Sequence, residues 1–351
     1  MNTTLINQFS DRAIASASLI LALASAASAT IPVFSNGSDN PFEPGLATGA
    51  FTASGIAAPQ GSSWSEVPHV SLIAANAISG FACHDATSGT GGTEAPFHFA
   101  DDFVVPAGAS WQLQSVSFFV YQAGNVQLAP YSAVNLRLWQ GRPGDIGAVA
   151  IGGDMATNVL TSQVSTNILR IFNTVVAPSP AQPNANRIIW KVDAALPNLT
   201  LTPGTYWLQW QIESANPAAE VFCPPVVVPS ARGKANANAR QLRTDALSTG
   251  GTWTNIIDFG KPSAAGDVAQ DMPFILYAGG TVGCTGDLVG GDGNPPGDGT
   301  VDGNDFTAFL NAFAAAESLA DIVGGDGNPP ADGSVDGNDF SAFLNFFGAG
   351  C

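Results

Sequence analysis

The pattern of polar and apolar positions in this chain changes period once, near residue 284. Before that point it alternates. Trp111 and Leu113, and after a shift Val116, Phe118 and Val120, fall on one side at a period of two. Val134, Leu136 and Leu138 do the same, as do Leu169 and Ile171, residues 189–192, Leu199 and Leu201, and the long run 206–212. Residues 97–105 and 274–277 read as further strands, and residues 70–73 as a short one. Pro106 to Gly108 and Pro203-Gly204 separate these runs as turns, and residues 51–61 and 88–93 have the composition of loops. No amphipathic helix interrupts the series. Many short alternating strands with Gly/Pro turns predict a mainly β domain over residues 30–278, a β-sandwich of jelly-roll-like form.

Beyond residue 284 the period becomes helical. Phe306, Phe309, Leu310 and Phe313 stand at i, i+3, i+4 and i+7, and Phe340, Phe343, Leu344 and Phe347 repeat the stripe. Each stripe predicts a helix with one apolar face, and two such faces can bury each other. The segment is itself a repeat: the twenty residues 287–306 return at 321–340 with three changes, at an offset of 34. Residues 279–283, rich in Gly, read as a linker into a small all-α module at 284–351.

The repeat carries chemistry. Asp298, Thr300, Asp302 and Asp305 have the spacing of the second half of an EF-hand-type calcium loop. Gly299 follows the first carboxylate, where a sharp turn is needed, and Thr300 offers its backbone carbonyl. The last carboxylate opens the helix. Asp292 and Asn294 supply the first pair of ligands, although Pro295, Pro296 and Gly297 lengthen the loop by two residues. Asp287 is a second candidate for the first ligand. The second copy has Asp326, Asn328, Asp332, Ser334, Asp336 and Asp339, with the same insertion. Calcium is a hard cation that takes oxygen ligands, so these side chains suit two Ca2+ ions. Asp-Gly runs are ordinarily solvated turns. That reading leaves unexplained two near-identical copies, each with ligand spacing and each ending in a helix.

This pattern resembles the type I dockerin fold, two loop-helix calcium motifs in tandem. More narrowly it resembles GC-type dockerin domain-anchored secreted bacterial proteins, through Cys284 ahead of the first copy, residues 301–306, and the terminal Gly350-Cys351. The resemblance covers about a fifth of the chain. It implies a module for anchoring or docking, with a cohesin-like protein as one partner. In dockerins the two loop positions before the last ligand contact cohesin. Here they are Gly303-Asn304 and Gly337-Asn338, and no basic residue occurs in the module. Residues 100–106, 135–139 and 201–208 resemble secreted bacterial sandwich domains carried with sorting tails, a group that implies a fold and no assigned activity.

Charge sharpens the division. Net charge is −17, and eleven of the 28 carboxylates lie at 284–351, where there is no Lys or Arg. The remainder is mildly acidic and offers no basic patch for nucleic acid. Residues 1–29 read as a secretory signal peptide: 13–29 are small and apolar, and Ala27-Ser28-Ala29 is a cleavage site that would leave Thr30 first. The run is short of the ~20 residues a membrane span needs, so no transmembrane segment is expected and the protein is expected outside the cell, at its surface. In that setting four cysteines suggest two disulfides, Cys83 with Cys223 and Cys284 with Cys351; Cys351 is alternatively an attachment handle.

Catalytic motifs are not evident. His69, His84 and His98 form no HExxH or H-x-H pair, and no G-x-S-x-G elbow occurs. Asp101, Asp102, Glu213 and Glu220 are available carboxylates with nothing to distinguish them for glycoside chemistry. Trp139, Trp190, Trp207, Trp210 and Trp253 are candidates for a platform that stacks sugar rings, and Trp207 and Trp210 must face opposite sides of one strand. The expectation is a non-catalytic protein with a polysaccharide or cell-envelope component as partner. A carbohydrate-active enzyme and a subunit assembled on a cohesin-bearing scaffold are the alternatives.

Overall fold

The alternating runs form long strands in a computed structural model. It describes residues 30–349 except 39, 71–73, 76–78, 85–96, 107–108, 125–128, 176–182, 229–230, 244–250, 261–265, 279–285, 296–300, 326 and 328–330. The signal-peptide, linker and Cys284–Cys351 expectations lie outside the described residues. The fold is mainly β, with two helices at the C-terminal end. The first six-stranded sheet runs β1 (Ile31–Ser35), β18 (Phe274–Ala278), β7 (Trp111–Val120), β11 (Ile188–Leu201), β10 (Leu160–Ile171) and β2 (Ser63–Glu66). The second runs β15 (Thr252–Asn255), β14 (Arg240–Arg243), β6 (Phe97–Val105), β12 (Gly204–Ser214), β8 (Tyr131–Gln140) and β9 (Val149–Asp154). All neighbours are antiparallel except β10 and β2. Short ladders join β3 (His69–Val70) to β4 (Ala74–Ala75), β5 (Phe81–Ala82) to β13 (Phe222–Cys223), and β16 (Ile257–Asp258) to β17 (Val268–Ala269).

One core lies between the two sheets, because the period-two apolar side chains of both enter it. Phe118 and Phe274 come from the first sheet, Phe99 and Trp210 from the second, and all four are fully buried. Trp210 stacks on Phe118 at 4.9 Å and meets the edges of Phe99 at 5.6 Å and Phe274 at 5.9 Å. Trp190 and Trp111 join the same core, and Trp64 is buried in a satellite cluster under β10. Trp207 lies on the other face of β12, as period two requires, and Arg142 covers it, with the guanidinium carbon 5.5 Å from the ring centroid.

Asp101 interrupts the apolar inner face of β6. It is fully buried, and its carboxylate accepts bonds from Asn36 Nδ2 (2.6 Å), Met272 N (2.7 Å) and Asp102 N (2.9 Å). Burial, and then the nearby Asp271 carboxylate, push its pKa well above the usual carboxylate range. The clasp ties β6 to the end of β1 and the start of β18.

The expected Cys83–Cys223 bridge is not formed: both thiols are free and buried. Cys223 stands opposite Phe81, and Cys83 bonds to the carbonyl of Val221, so the two cysteines are offset diagonally across the β5–β13 ladder. Diagonal neighbours lie about 7–8 Å apart, too far for a disulfide. Cys223 Sγ instead donates to the Phe119 carbonyl at 3.3 Å.

Trp210→Ala removes the ring that joins the sheets and is expected to cost about 3–5 kcal/mol. Trp139→Ala, at a half-buried outer position, should cost clearly less. Urea denaturation of both variants checks this, and equal losses would mean that Trp210 is not central to the core.

Candidate metal centre

Each C-terminal helix begins at a carboxylate. Asp302 caps α1 (Gly303–Ala315): its Oδ1 accepts from Asn304 N at 2.7 Å. Asp305, one turn in, reaches back so that its Oδ2 accepts from Asp302 N at 2.9 Å, completing a capping box. Its Oδ1 accepts from Leu288 N (2.7 Å) and Val289 N (2.9 Å), which lie before the loop. Asp305 therefore fastens the entering segment to the helix it opens. The second copy repeats the arrangement before α2 (Gly337–Ala349). Asp336 Oδ1 accepts from Asn338 N at 2.7 Å, and Asp339 Oδ2 from Asp336 N at 2.8 Å. Asp339 Oδ1 accepts from Ile322 N and Val323 N, at 2.8 and 3.0 Å. Asp305 and Asp339 are both buried.

The two copies pack about a local two-fold axis. Phe309 and Phe343, equivalent in the repeat, stack with centroids 3.9 Å apart and planes 1° from parallel. Contacts flanking the stack come in equivalent pairs: Phe306–Phe343 at 6.1 Å with Phe309–Phe340 at 6.2 Å, and Phe306–Phe347 at 5.2 Å with Phe313–Phe340 at 5.5 Å. Leu310 and Leu344, expected in the apolar stripe, are exposed. The ring stack draws the helices together along the line of 306, 309 and 313, and the i+4 position of each stripe falls outside it.

The structure places some of the expected ligands and not others. Asp298, Thr300, Asp326 and Asn328 lie outside the described residues. Asp292 and Asn294 are exposed and close a local turn on themselves: Asn294 N donates to Asp292 Oδ1 at 3.0 Å, and Gly290 N to the Asn294 carbonyl at 2.9 Å. Asp332 and Ser334 are exposed, joined by a bond from Ser334 N to Asp332 Oδ1 at 3.0 Å. The residue the spacing underrates is Asp321. Its two oxygens accept from Asp332 N (3.2 Å) and Gly333 N (2.8 Å), across the whole insertion. Gly333 has φ +88, the left-handed conformation required of the glycine after Asp332. Asp321 is the equivalent of Asp287, so position, not spacing, brings the earlier carboxylate to the loop. The seven-residue lengthening relative to a regular loop hides this in the sequence.

The donor set is all oxygen, which fits a hard divalent cation. A carboxylate has about four lone-pair directions, and N–H donors take three of them at Asp305 and at Asp339, leaving each at most one for a metal. Asp302 and Asp336 are exposed, and among the described residues their second oxygens accept no hydrogen bond. Among the described residues no group of three His, Cys, Asp or Glu side chains is gathered closely enough to hold a metal ion.

In the β domain, Asp102 is half-buried and accepts from Asn238 Nδ2 at 3.1 Å. Lys234 Nζ lies 3.9 Å from Asp271 and donates to the Asn36 carbonyl at 3.1 Å, so an ammonium group serves this cluster of carboxylates. Glu213 and Glu220 are half-buried. No helix among the described residues is long and apolar enough to cross a membrane. No family model, curated protein or solved structure matches the chain.

Burial raises the Asp339 pKa, but the N–H donors of Asp336, Val323 and Ile322 lower it by more, and the group titrates below the usual carboxylate range. A folded pKa below the unfolded value of about 3.9 gives stability that is complete above that pH and lost as pH falls through the folded value. Asp339→Asn should destabilise the module by on the order of 1–3 kcal/mol at neutral pH and flatten its acid limb below about pH 4. Helical circular dichroism of variant and parent against pH checks this; identical acid limbs would mean that Asp339 is not the clasp.

Proposed function

We propose that this is a secreted, surface-associated, non-catalytic protein in which a calcium-dependent, dockerin-like C-terminal module anchors or docks a carbohydrate-binding β-sandwich of jelly-roll-like form. The observation that carries the reading is the agreement between the two copies of the repeat: the same carboxylates make the same bonds, and the same phenylalanines meet about one axis. The agreement lies at Asp302 and Asp305 and at Asp336 and Asp339, the residues that close each loop onto its helix. Each loop holds exposed carboxylates in a module without Lys or Arg, so compaction brings like charges together. A divalent cation per loop reverses that repulsion.

Asp302 and Asp336, with the backbone carbonyls of Thr300 and Ser334, would hold the two Ca2+ ions; Asp298, Asp332 and the earlier carboxylates Asp287 or Asp292, and Asp321 or Asp326, would complete each set. The β domain's part rests on its aromatic outer face. Trp139 and Trp253 are half-buried on the side of the second sheet away from the core, where a ring can stack on sugar. Docking to a cohesin-like protein has less support, because Gly303, Asn304, Gly337 and Asn338 are exposed but carry no charge.

Free calcium about a thousandfold above Kd adds roughly 4 kcal/mol per site. Thermal melting of the full chain, followed by helical circular dichroism, should show the module unfolding at lower temperature with chelator than with calcium. Asp302→Ala and Asp336→Ala should each remove part of the difference. Melting that is indifferent to chelator refutes the calcium reading.

A further inference from the structure

The outer face of the second sheet is more elaborate than a solvent-facing surface requires. β12 sends Tyr206, Leu208 and Trp210 to the core and Gln209 outward, and Gln209 is nonetheless buried. Beside it on β8 are its register partner Arg137 and, two residues on, Trp139. Trp139 Nε1 donates to Gln209 Oε1 at 2.8 Å. An indole N–H can only donate, so it fixes which end of the Gln209 amide is oxygen. The amide nitrogen then faces His98 Nδ1 at 2.9 Å and must donate to it. His98 Nδ1 is therefore the bare nitrogen of a neutral ring. Burial, and then Arg137, push the His98 pKa down to about 4, in agreement with that assignment. The chain Trp139–Gln209–His98 locks the indole in place.

Arg137 is held differently. Its guanidinium lies over one face of the Trp139 ring, 5.6 Å from the centroid, so a ligand ring would have to use the opposite face. Among the described residues no hydrogen bond engages its donor fork and no carboxylate lies within 4.0 Å; the exposed Asp154 feels its charge, but that carboxylate accepts from Thr157 N (2.6 Å), Ala156 N (2.8 Å) and Thr157 Oγ1 (2.9 Å). The neighbouring edge strand leaves room: β9 places Ala150 beside Trp139 and Gly153 beside Arg137. A fixed indole and a guanidinium without a hydrogen-bonded partner thus border a stretch of β9 that offers only Ala150 and Gly153 beside them, with the exposed Val149 and Asp154 at its two ends.

Resting on the reading of this domain as carbohydrate-binding, we infer that this flank is a subsite for an acidic polysaccharide, with a uronate ring against Trp139 and its carboxylate on the Arg137 fork. An indole face suits the C–H face of a sugar, and a guanidinium matches a carboxylate with two parallel bonds. A neutral glycan would leave the fork unused. A ring fixed before the ligand arrives loses little freedom on binding.

The test is isothermal titration of the full chain with oligogalacturonates too short to gel with calcium, beside neutral β-glucan oligosaccharides and an acidic peptide, oligo-glutamate. Oligogalacturonate should bind, and the neutral sugar and the peptide should bind more weakly. Arg137→Gln should weaken oligogalacturonate binding by about tenfold to a hundredfold. Arg137→Lys, which keeps the charge and loses the fork, should fall between, and serves if the Gln variant fails to fold. Lys191→Gln, on the other sheet, should bind as the parent does. Undiminished oligogalacturonate binding by both Arg137 variants overturns the inference, as does oligo-glutamate binding as tightly as the sugar. A neutral sugar bound through Trp139 alone also overturns it, while leaving the carbohydrate reading intact. Binding of neither sugar overturns both.

Discussion

A carboxylate can leave water only if something replaces its hydration, and this chain has few cations with which to do it. Eleven Lys and Arg stand against 28 Asp and Glu. Its buried carboxylates are satisfied chiefly by N–H and O–H groups. Asp305 and Asp339 each accept three backbone N–H bonds. Asp101 accepts two from the backbone and one from an amide side chain. Glu66 accepts from Thr174 N at 2.6 Å, Thr174 Oγ1 at 2.8 Å and Ala53 N at 2.6 Å. In each case at least one donor comes from a segment distant in sequence, so satisfying the carboxyl group also closes the fold. Arg170 is the converse: a buried guanidinium whose bonds go to the Ser79 carbonyl and Ser65 Oγ, with burial lowering its pKa to about 10.

This constraint divides the acidic residues of the C-terminal module into two groups. Asp305 and Asp339 are occupied in joining loop to helix, and their burial is compensated without a metal. The exposed carboxylates accept single N–H bonds but have no Lys or Arg in the module to balance their charge. The helices supply packing through stacked phenylalanines, yet the loops that carry them accumulate negative charge on closing. The proposed calcium ions answer that second problem and leave the first to the backbone. Asp305 and Asp339 thus fasten the entering segment, while Asp302 and Asp336, three residues earlier, cap the helices through one oxygen and keep the other for the proposed ion.

Alternation made the central strands legible. The runs at 97–105, 111–120, 134–139 and 206–212 are β6, β7, β8 and β12, because both sides of each are set by burial. β9, β14 and β15 were not legible: Gly152 and Gly153 give no period, and Arg240 to Arg243 and Thr252 to Asn255 are short polar segments defined only by their partners. The helices were legible from the phenylalanine spacing, although Leu310 and Leu344 were assigned inward because periodicity cannot tell how wide the contact is. Asp321 was obscured by the lengthened loop. The outward patch was half legible: period two put Trp207 opposite Trp210, but the lock between Trp139, Gln209 and His98 depends on register across three strands, which no single run contains.

The account stands or falls on whether each copy of the repeat takes up an ion. Equilibrium dialysis of the full chain against calcium, with bound metal counted by mass spectrometry, measures this directly. The account predicts two ions per chain, one in Asp302→Ala or Asp336→Ala, and none in the double variant. No bound calcium in the parent, or the same number in parent and double variant, would contradict it.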